Sequence, residues 1–210
     1  FFGVELVEHK GDAGELMGSR RWDPPVKDIE RATELLRFRK WGIDKTAGEN
    51  HRQRLDEVFA GVLPVERRGL YWWSTGMTES LIKLIGMEQL MFAMTDNPDA
   101  LHRLMAFLRD DMQHMLDWHE AQGLLLPNNL GDYIGSGGGG YTDCLPQPDY
   151  RGGPARIRDM WGLSESQETV GVSPHMFGEF IFPYQLPVIS RFGLACYGCC
   201  EPVDKRWQYI

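Results

Sequence analysis

The amino-acid sequence predicts an α/β protein with a parallel sheet, and three observations lead to this class. From about residue 63 onward, strand-like and helix-like segments alternate, as they do where helices connect parallel strands. Two short runs, Leu124–Pro127 and Phe192–Cys196, are largely apolar, which is typical of strands covered on both faces. Between residues 101 and 115, apolar side chains recur every three or four positions, which indicates a helix with one buried stripe.

Composition and charge narrow the class further. The 210 residues are 42% hydrophobic and 25% charged, which is enough apolar material for one core, so we predict a single domain over residues 1–210 with a less regular part at 1–60. The net charge of −8 argues against a nucleic-acid partner. No apolar run approaches the roughly 18 residues of a membrane span. Four cysteines without an export signal favour a cytoplasmic location.

The N-terminal part gives the weaker signals. Phe1–Val7 alternates roughly as a strand does, and Asp23 before two prolines is typical of a helix start. A second helix is predicted over residues 49–59, with an apolar face formed by Leu55, Val58 and Phe59.

The central part is predicted to contain strands and then two helices. Strands are expected at residues 63–65 and 69–73, followed by a helix over residues 76–94 whose methionines we interpret as core. Asn97, followed by a proline, is predicted to cap the long helix. A further helix is predicted to begin at Ser173.

Polar residues follow the predicted strands. Asn128 and Asn129 come directly after Leu124–Pro127. The four glycines at 137–140 lack the Lys-Ser/Thr pair of a phosphate-binding loop, so we predict a mobile lid there. The strand-like residues 155–162 lead into a loop that contains Gln167 and Glu168.

The most informative stretch gathers thiols at the end of a strand. The run Phe192–Cys196 is followed by Cys199, Cys200 and Glu201. The carboxyl ends of parallel strands are where α/β proteins bind substrates. Two thiols with a carboxylate suit zinc, and an activated thiolate could also act alone. The simpler alternative is that the thiols fill space in the core, which is our interpretation of Cys196.

The stretch Tyr197–Pro202, placed after Phe192–Leu194, resembles the uroporphyrinogen decarboxylase superfamily, and more closely its branch of corrinoid and coenzyme M methyltransferases. The resemblance covers roughly residues 60–202. It includes Leu84–Glu88, Asn97–Asp99, Asp159–Gly162, Ser166–Glu168, Val172–Pro174, Glu179–Phe180 and Pro183–Tyr184. It implies a (β/α)8 TIM barrel, and because such a barrel takes about 250 residues, we expect an incomplete one in this sequence.

The resemblance also implies an enzyme. The expected activity moves a methyl group between a corrinoid, or a methoxy or methylamine donor, and a thiol or similar acceptor. The corrinoid would be a substrate or be carried by a partner protein. In the methyltransferase relatives a His-x-Cys motif holds zinc, and here Tyr197 stands at the histidine position and Cys199 at the cysteine position.

Two alternatives remain open. A tetrapyrrole (uroporphyrinogen) decarboxylase would use no metal, although the Arg-Gln-Ala-Gly-Arg signature of those enzymes is missing from this sequence. A non-catalytic corrinoid- or tetrapyrrole-binding protein is the other alternative.

On this basis Cys199 and Glu201 are the predicted catalytic residues, and Cys199, Cys200 and Glu201 are the predicted zinc ligands. The predicted substrate contacts at the same open end of the barrel are Asn128, Asn129, Asp159, Trp161, Gln167, Glu168 and Tyr197.

Overall fold

A computed structural model describes residues 1–11, 20–65, 74–135 and 138–210 as a mixed α/β structure. The strands are β1 (Val7–Lys10), β2 (Arg20–Asp23), β3 (Leu130–Gly135), β4 (Gly138–Tyr141), β5 (Trp161–Ser164) and β6 (Leu194–Tyr197). The helices are α1 (Ala32–Leu35), α2 (Lys45–Phe59), α3 (Thr78–Ile85), α4 (Met87–Asp96), α5 (Pro98–Ala121), α6 (Pro174–Phe180) and α7 (Phe182–Ile189).

The strands of the described residues pair as three two-stranded sheets. β1 with β2 and β3 with β4 are antiparallel, whereas β5 and β6 are parallel, with Trp161 opposite Leu194 and Ser164 opposite Tyr197. Helices α6 and α7 connect β5 to β6, so this part of the chain is a β–α–β unit. The expected alternation of strands and helices is therefore present here.

No barrel is found within the described ranges; of the expected incomplete barrel, the mixed α/β class and this one β–α–β unit are present. The run Leu124–Pro127 joins no sheet. Ala155 N–H donates a hydrogen bond to Leu125 O, but this single bond does not extend into strand pairing. Residues 63–65 also form no strand. The predicted strand at 69–73 lies outside the described residues.

The glycine-rich segment differs from the predicted loop. Most of it is the antiparallel hairpin of β3 and β4, in which Leu130 pairs with Tyr141 and Gly135 with Gly138; Ser136 and Gly137 lie outside the described residues. The hairpin contacts both β5 and β6, so it covers the parallel pair.

The long helix is confirmed, and the helix predicted before it is divided in two. Gly86 separates α3 from α4 at φ +80°, a left-handed conformation that glycine adopts without strain. α5 begins at Pro98 as predicted, but the Asn97 side chain makes no cap bond and instead donates to Glu30. Ser173 does cap α6, accepting from Met176 N–H at 3.2 Å.

The main core forms around α5, which packs against α1, α4 and α7. Its inner face buries apolar side chains at the predicted spacing: Ala100, Leu101, Leu104, Met105, Leu108, Met112, Met115 and Leu116. In contrast, α2 has no buried residue. Among the described residues, no helix is long and apolar enough to span a membrane.

Candidate functional site

The loops that follow β5 and β6 meet because the two strands are parallel neighbours. We call residues 165–169 and 198–201 together the strand-end junction. Glu201, only 7% exposed, joins its two halves. One carboxylate oxygen accepts from Ser166 N–H at 2.7 Å, and the other accepts from Cys199 N–H at 2.8 Å. The bond from Ser166 joins the two loops, and the bond from Cys199 fixes the turn within the second loop.

Glu165 is the most deeply placed acid of the junction. It is 3% exposed, and it accepts from the Ser74 hydroxyl at 3.1 Å and from Gln167 N–H at 3.0 Å. Burial raises the pKa of Glu165 to about 7, and the charges of Glu168 and Glu201 add to this effect. The Glu165 carboxyl can thus gain or lose a proton near neutral pH.

A buried network supports Glu165 from the side of the helices. Gln185, which is fully buried, donates to the carbonyl oxygens of Gly76 at 2.5 Å and Glu165 at 2.8 Å. Tyr197 Oη lies 2.6 Å from Gln185 Oε1 and 3.2 Å from Ser166 Oγ. Burial raises the pKa of Tyr197, so this phenol stays protonated and can donate.

Arg206 brings a buried cation to the junction. Its guanidinium donates to Ser166 Oγ at 2.8 Å and to the carbonyl oxygens of Thr169 and Val172. It also lies 4.6 Å from the centre of the Phe177 ring, a cation–π contact. Burial lowers the pKa of Arg206. These contacts hold the loop after β5 in place.

A cavity of about 350 Å³ lies beside the junction, and we call it the thiol cavity. It is lined by Ile134, Gly135, Gly138, Gly139, Cys196, Tyr197, Gly198, Cys199, Glu201 and Val203. A Cβ on Gly135 would lie 3.2 Å from Cys196 Sγ, so the hairpin backbone approaches the thiols closely. Cys196, interpreted from the sequence as core packing, is half-buried and lines this cavity, and burial raises its pKa.

The described residues do not fit a zinc site. Cys199 Sγ and Cys200 Sγ lie 3.6 Å apart, close enough for two sulfurs to share one ion. Glu201, the third predicted ligand, accepts backbone N–H groups from Ser166 and Cys199. Within the described ranges, no three His, Cys, Asp or Glu residues group as metal ligands. We therefore derive no chemistry through a metal.

Three of the predicted substrate contacts lie at the other end of β5. Asn128 bonds both the N–H and the C=O of Trp161, the first residue of that strand, at 2.8 and 3.0 Å. Asp159 precedes the strand, is fully buried, and pairs with Arg156 at 2.7 Å; hydrogen bonds from Arg156 lower the pKa of Asp159. The expectation that all candidates line one opening is corrected by this separation along the strand.

The other candidates divide between the junction and a supporting loop. Glu168 accepts from the Thr78 hydroxyl at 2.7 Å, and Gln167 Nε2 lies 3.3 Å from Glu168 Oε1. Tyr197 and Cys199 line the thiol cavity. Asn129 instead donates to Leu145 O at 2.6 Å and fastens the loop after β4. Gln167, Glu168, Tyr197, Cys199, Cys200 and Glu201 are thus brought together.

Sequence reasoning did not select Glu165, Gln185 or Arg206. Glu165 directly follows the last residue of β5, so the strand-end argument could have included it. Gln185 and Arg206 gave no local signal, because their polar partners lie far away in the sequence; Gln185 and Gly76 are 109 positions apart.

No family model, no curated protein and no solved structure matches this chain. The class that its own fold and site define is a mixed α/β protein with a polar junction at the carboxyl ends of a parallel strand pair.

Proposed function

We propose that this chain is a methyltransferase of the uroporphyrinogen decarboxylase superfamily, acting at the strand-end junction beside the thiol cavity. The observation that carries the proposal is the burial of the Glu165 carboxyl directly after β5, which raises its pKa to about 7. Methyl transfer from oxygen or nitrogen leaves a heteroatom that must take up a proton, and transfer to a thiol releases one. A positioned acid that titrates near neutral pH serves both directions.

The chemical step balances with these groups. The bond between the methyl carbon and the donor oxygen or nitrogen breaks, and its electron pair remains on that heteroatom. We propose that Glu165, which belongs to the junction and is not one of the residues that line the cavity, is the source of the proton that neutralises it. The methyl carbon forms its new bond with an electron pair of the acceptor, which is a thiolate or a reduced corrinoid bound as substrate.

The parallel pair supports the barrel portion of the proposal. β5, helices α6 and α7, and β6 form the repeating unit from which a (β/α)8 barrel is built. Polar side chains gather at the carboxyl ends of these strands, where barrel enzymes place their active sites. All four cysteines are free thiols, as expected in the cytoplasm, where we place the enzyme.

The size of the thiol cavity favours a small substrate within it. Its volume of about 350 Å³ is near the lower end of the ligand-pocket range of roughly 300–1,000 Å³. We propose that the small methyl donor or acceptor enters the cavity. The corrinoid, free or on a partner protein, approaches from outside.

The buried arginine favours methyl transfer over tetrapyrrole decarboxylation. A tetrapyrrole with several carboxylates needs cationic donors that are free to bind them. Arg206 is the buried cation at the junction, and its two terminal nitrogens are used by Ser166, Thr169 and Val172. We keep decarboxylation and non-catalytic binding as outcomes of the test.

The test uses the whole chain with methylcob(III)alamin and 2-mercaptoethanol, and follows the visible absorption of the methyl–cobalt bond. We expect thiol-dependent demethylation by the native protein. The Glu165→Gln variant should be on the order of 100-fold slower. Glu179→Gln, an exposed exchange of the same type on α6, should match the native rate.

A second assay offers an aryl methyl ether with cob(I)alamin and measures the methylcobalamin formed. If the native protein transfers a methyl group in neither assay, the proposal is wrong. Release of CO₂ from uroporphyrinogen would then establish the decarboxylase, and binding of a corrinoid without turnover would establish the non-catalytic alternative.

A further inference from the structure

The two adjacent thiols Cys199 and Cys200 face each other outside any strand or helix. Their sulfurs are 3.6 Å apart, which is van der Waals contact. Both residues belong to the irregular segment that follows β6. The segment begins at Gly198, whose φ of +109° lies in the region that glycine adopts freely. Side-chain rotation together with an adjustment of the backbone in this irregular segment would be needed to bring the sulfurs within bonding distance.

The two thiols differ in access. Cys200 is exposed, while Cys199 is half-buried and lines the thiol cavity. A small reagent in the cavity meets Cys199 first, and Cys200 can approach from the solvent side. This is the arrangement of an attacking thiol beside a resolving thiol.

We propose that Cys199 and Cys200 are a reversible redox pair that a hydroperoxide oxidises to a disulfide. In the first step the Cys199 thiolate bonds to one peroxide oxygen, the O–O bond breaks, and the leaving oxygen takes a proton to become an alcohol or water. In the second step the Cys200 sulfur bonds to the sulfenic sulfur of Cys199, and the S–O bond breaks. The departing hydroxide takes the Cys200 proton and leaves as water.

A disulfide between two consecutive residues is easily reduced, so this pair would be a reversible switch rather than a permanent cross-link. Consecutive Cα atoms are about 3.8 Å apart, whereas ordinary disulfides join Cα atoms at about 4.4–6.8 Å. The resulting strain favours reduction by cellular thiols. Closing the ring would turn Cys199 Sγ toward Cys200 and away from the cavity, so oxidation changes the wall of the thiol cavity.

The nearest competitor is Cys196, which lines the same cavity. It lies on β6, where strand pairing fixes its backbone. Its sulfur is covered by the hairpin, since a Cβ on Gly135 would be 3.2 Å away. Cys200 is thus the better partner for Cys199.

The experiment treats the reduced native chain with hydrogen peroxide, alkylates the remaining thiols and maps the peptides by mass spectrometry. We expect loss of two of the four free thiols, a decrease in mass of about 2 Da from two lost hydrogens, and a disulfide within the peptide that contains residues 199 and 200. Dithiothreitol should restore both thiols. Cys144→Ser, at an exposed cysteine in another loop, should behave as the native chain.

Two variants sharpen the result. In Cys200→Ser, oxidation should stop at a sulfenic acid on Cys199, which dimedone traps. Phenylarsine oxide, which binds two thiols that lie close together, should bind the native chain but neither Cys199→Ser nor Cys200→Ser. A disulfide that includes Cys196, a disulfide between two chains, or no disulfide in the native chain would overturn the proposal. The outcome is independent of methyl transfer, because it is read from the thiols alone.

Discussion

Helix α5 and the strand-end junction both contain buried side chains, but these side chains are stabilised by different means. The inner face of α5 consists mainly of leucine, methionine and alanine. The junction and its supports bury Glu165, Glu201, Gln185 and Arg206, each no more than 7% exposed. Most of the first region is held by hydrophobic contact, with Asp111 paired to Arg39 as an exception, whereas these four groups of the second each have polar partners.

The difference explains where chemistry can occur. Apolar side chains stabilise the fold by leaving water, without any directional requirement. Burial of a carboxyl instead disfavours its charged form, because that form loses its hydration, and the pKa of the carboxyl rises. Glu165 therefore holds a proton at a pH where an exposed glutamate has lost it.

The largest predicted effect lies in the apolar region. Leu104→Ala removes a fully buried side chain of α5 and leaves a cavity, so we expect a loss of about 2–5 kcal/mol in the free energy of unfolding. Urea denaturation measures it. Leu130→Ala, where the native side chain is 76% exposed, is the matched control. Equal losses in the two variants would contradict the assignment of α5 to the core.

A smaller effect is predicted for the clamp across the junction. In Glu201→Gln an amide NH₂ replaces one carboxylate oxygen, so either Ser166 N–H or Cys199 N–H loses its acceptor. We expect a cost of about 1–3 kcal/mol, measured by the same denaturation. Glu179→Gln should be neutral, and a Glu201→Gln variant as stable as that control would show that the clamp contributes nothing.

These two regions also differ in how far the sequence predicts them. The buried stripe of α5 can be predicted from a short stretch of sequence, because its apolar residues recur every three or four positions. The helix also begins at Pro98 as expected. The strand ending in Cys196 and Tyr197 is likewise confirmed. The barrel itself is not found within the described residues; residues 124–127, for example, carry strand-like composition but have no sheet partner there.

The junction could be predicted only in part. The strand-end argument places Gln167 and Glu168 in the same junction as Cys199, because parallel strands end at the same edge, and the hydrogen bond from Ser166 to Glu201 joins the two loops. It cannot supply hydrogen-bond partners that are distant in sequence. Ser74 and Glu165, for example, are 91 positions apart. Glu201 illustrates the limit, since its residue type suggests a ligand while its contacts are those of a clamp.

The smallest predicted effect is a difference between the two regions in how stability depends on pH, and it comes from Glu165. Its pKa is raised in the folded chain from 4.5 to about 7, so folding favours the protonated form. The stabilisation from this proton is fully present below pH 4.5 and is lost as the pH rises through about 7. Glu165→Gln should remove this part of the pH dependence, while Leu104→Ala should lower stability by a similar amount at every pH.

The most direct measurement is a carbon-13 NMR titration of the native chain labelled at its glutamate side-chain carboxyls, with Glu165→Gln to assign the resonance. We predict one carboxyl with a midpoint near pH 7 that is missing from the variant. A Glu165 carboxyl that titrates near its ordinary value of 4.5 would contradict the proposed proton donor and, with it, the account of the junction.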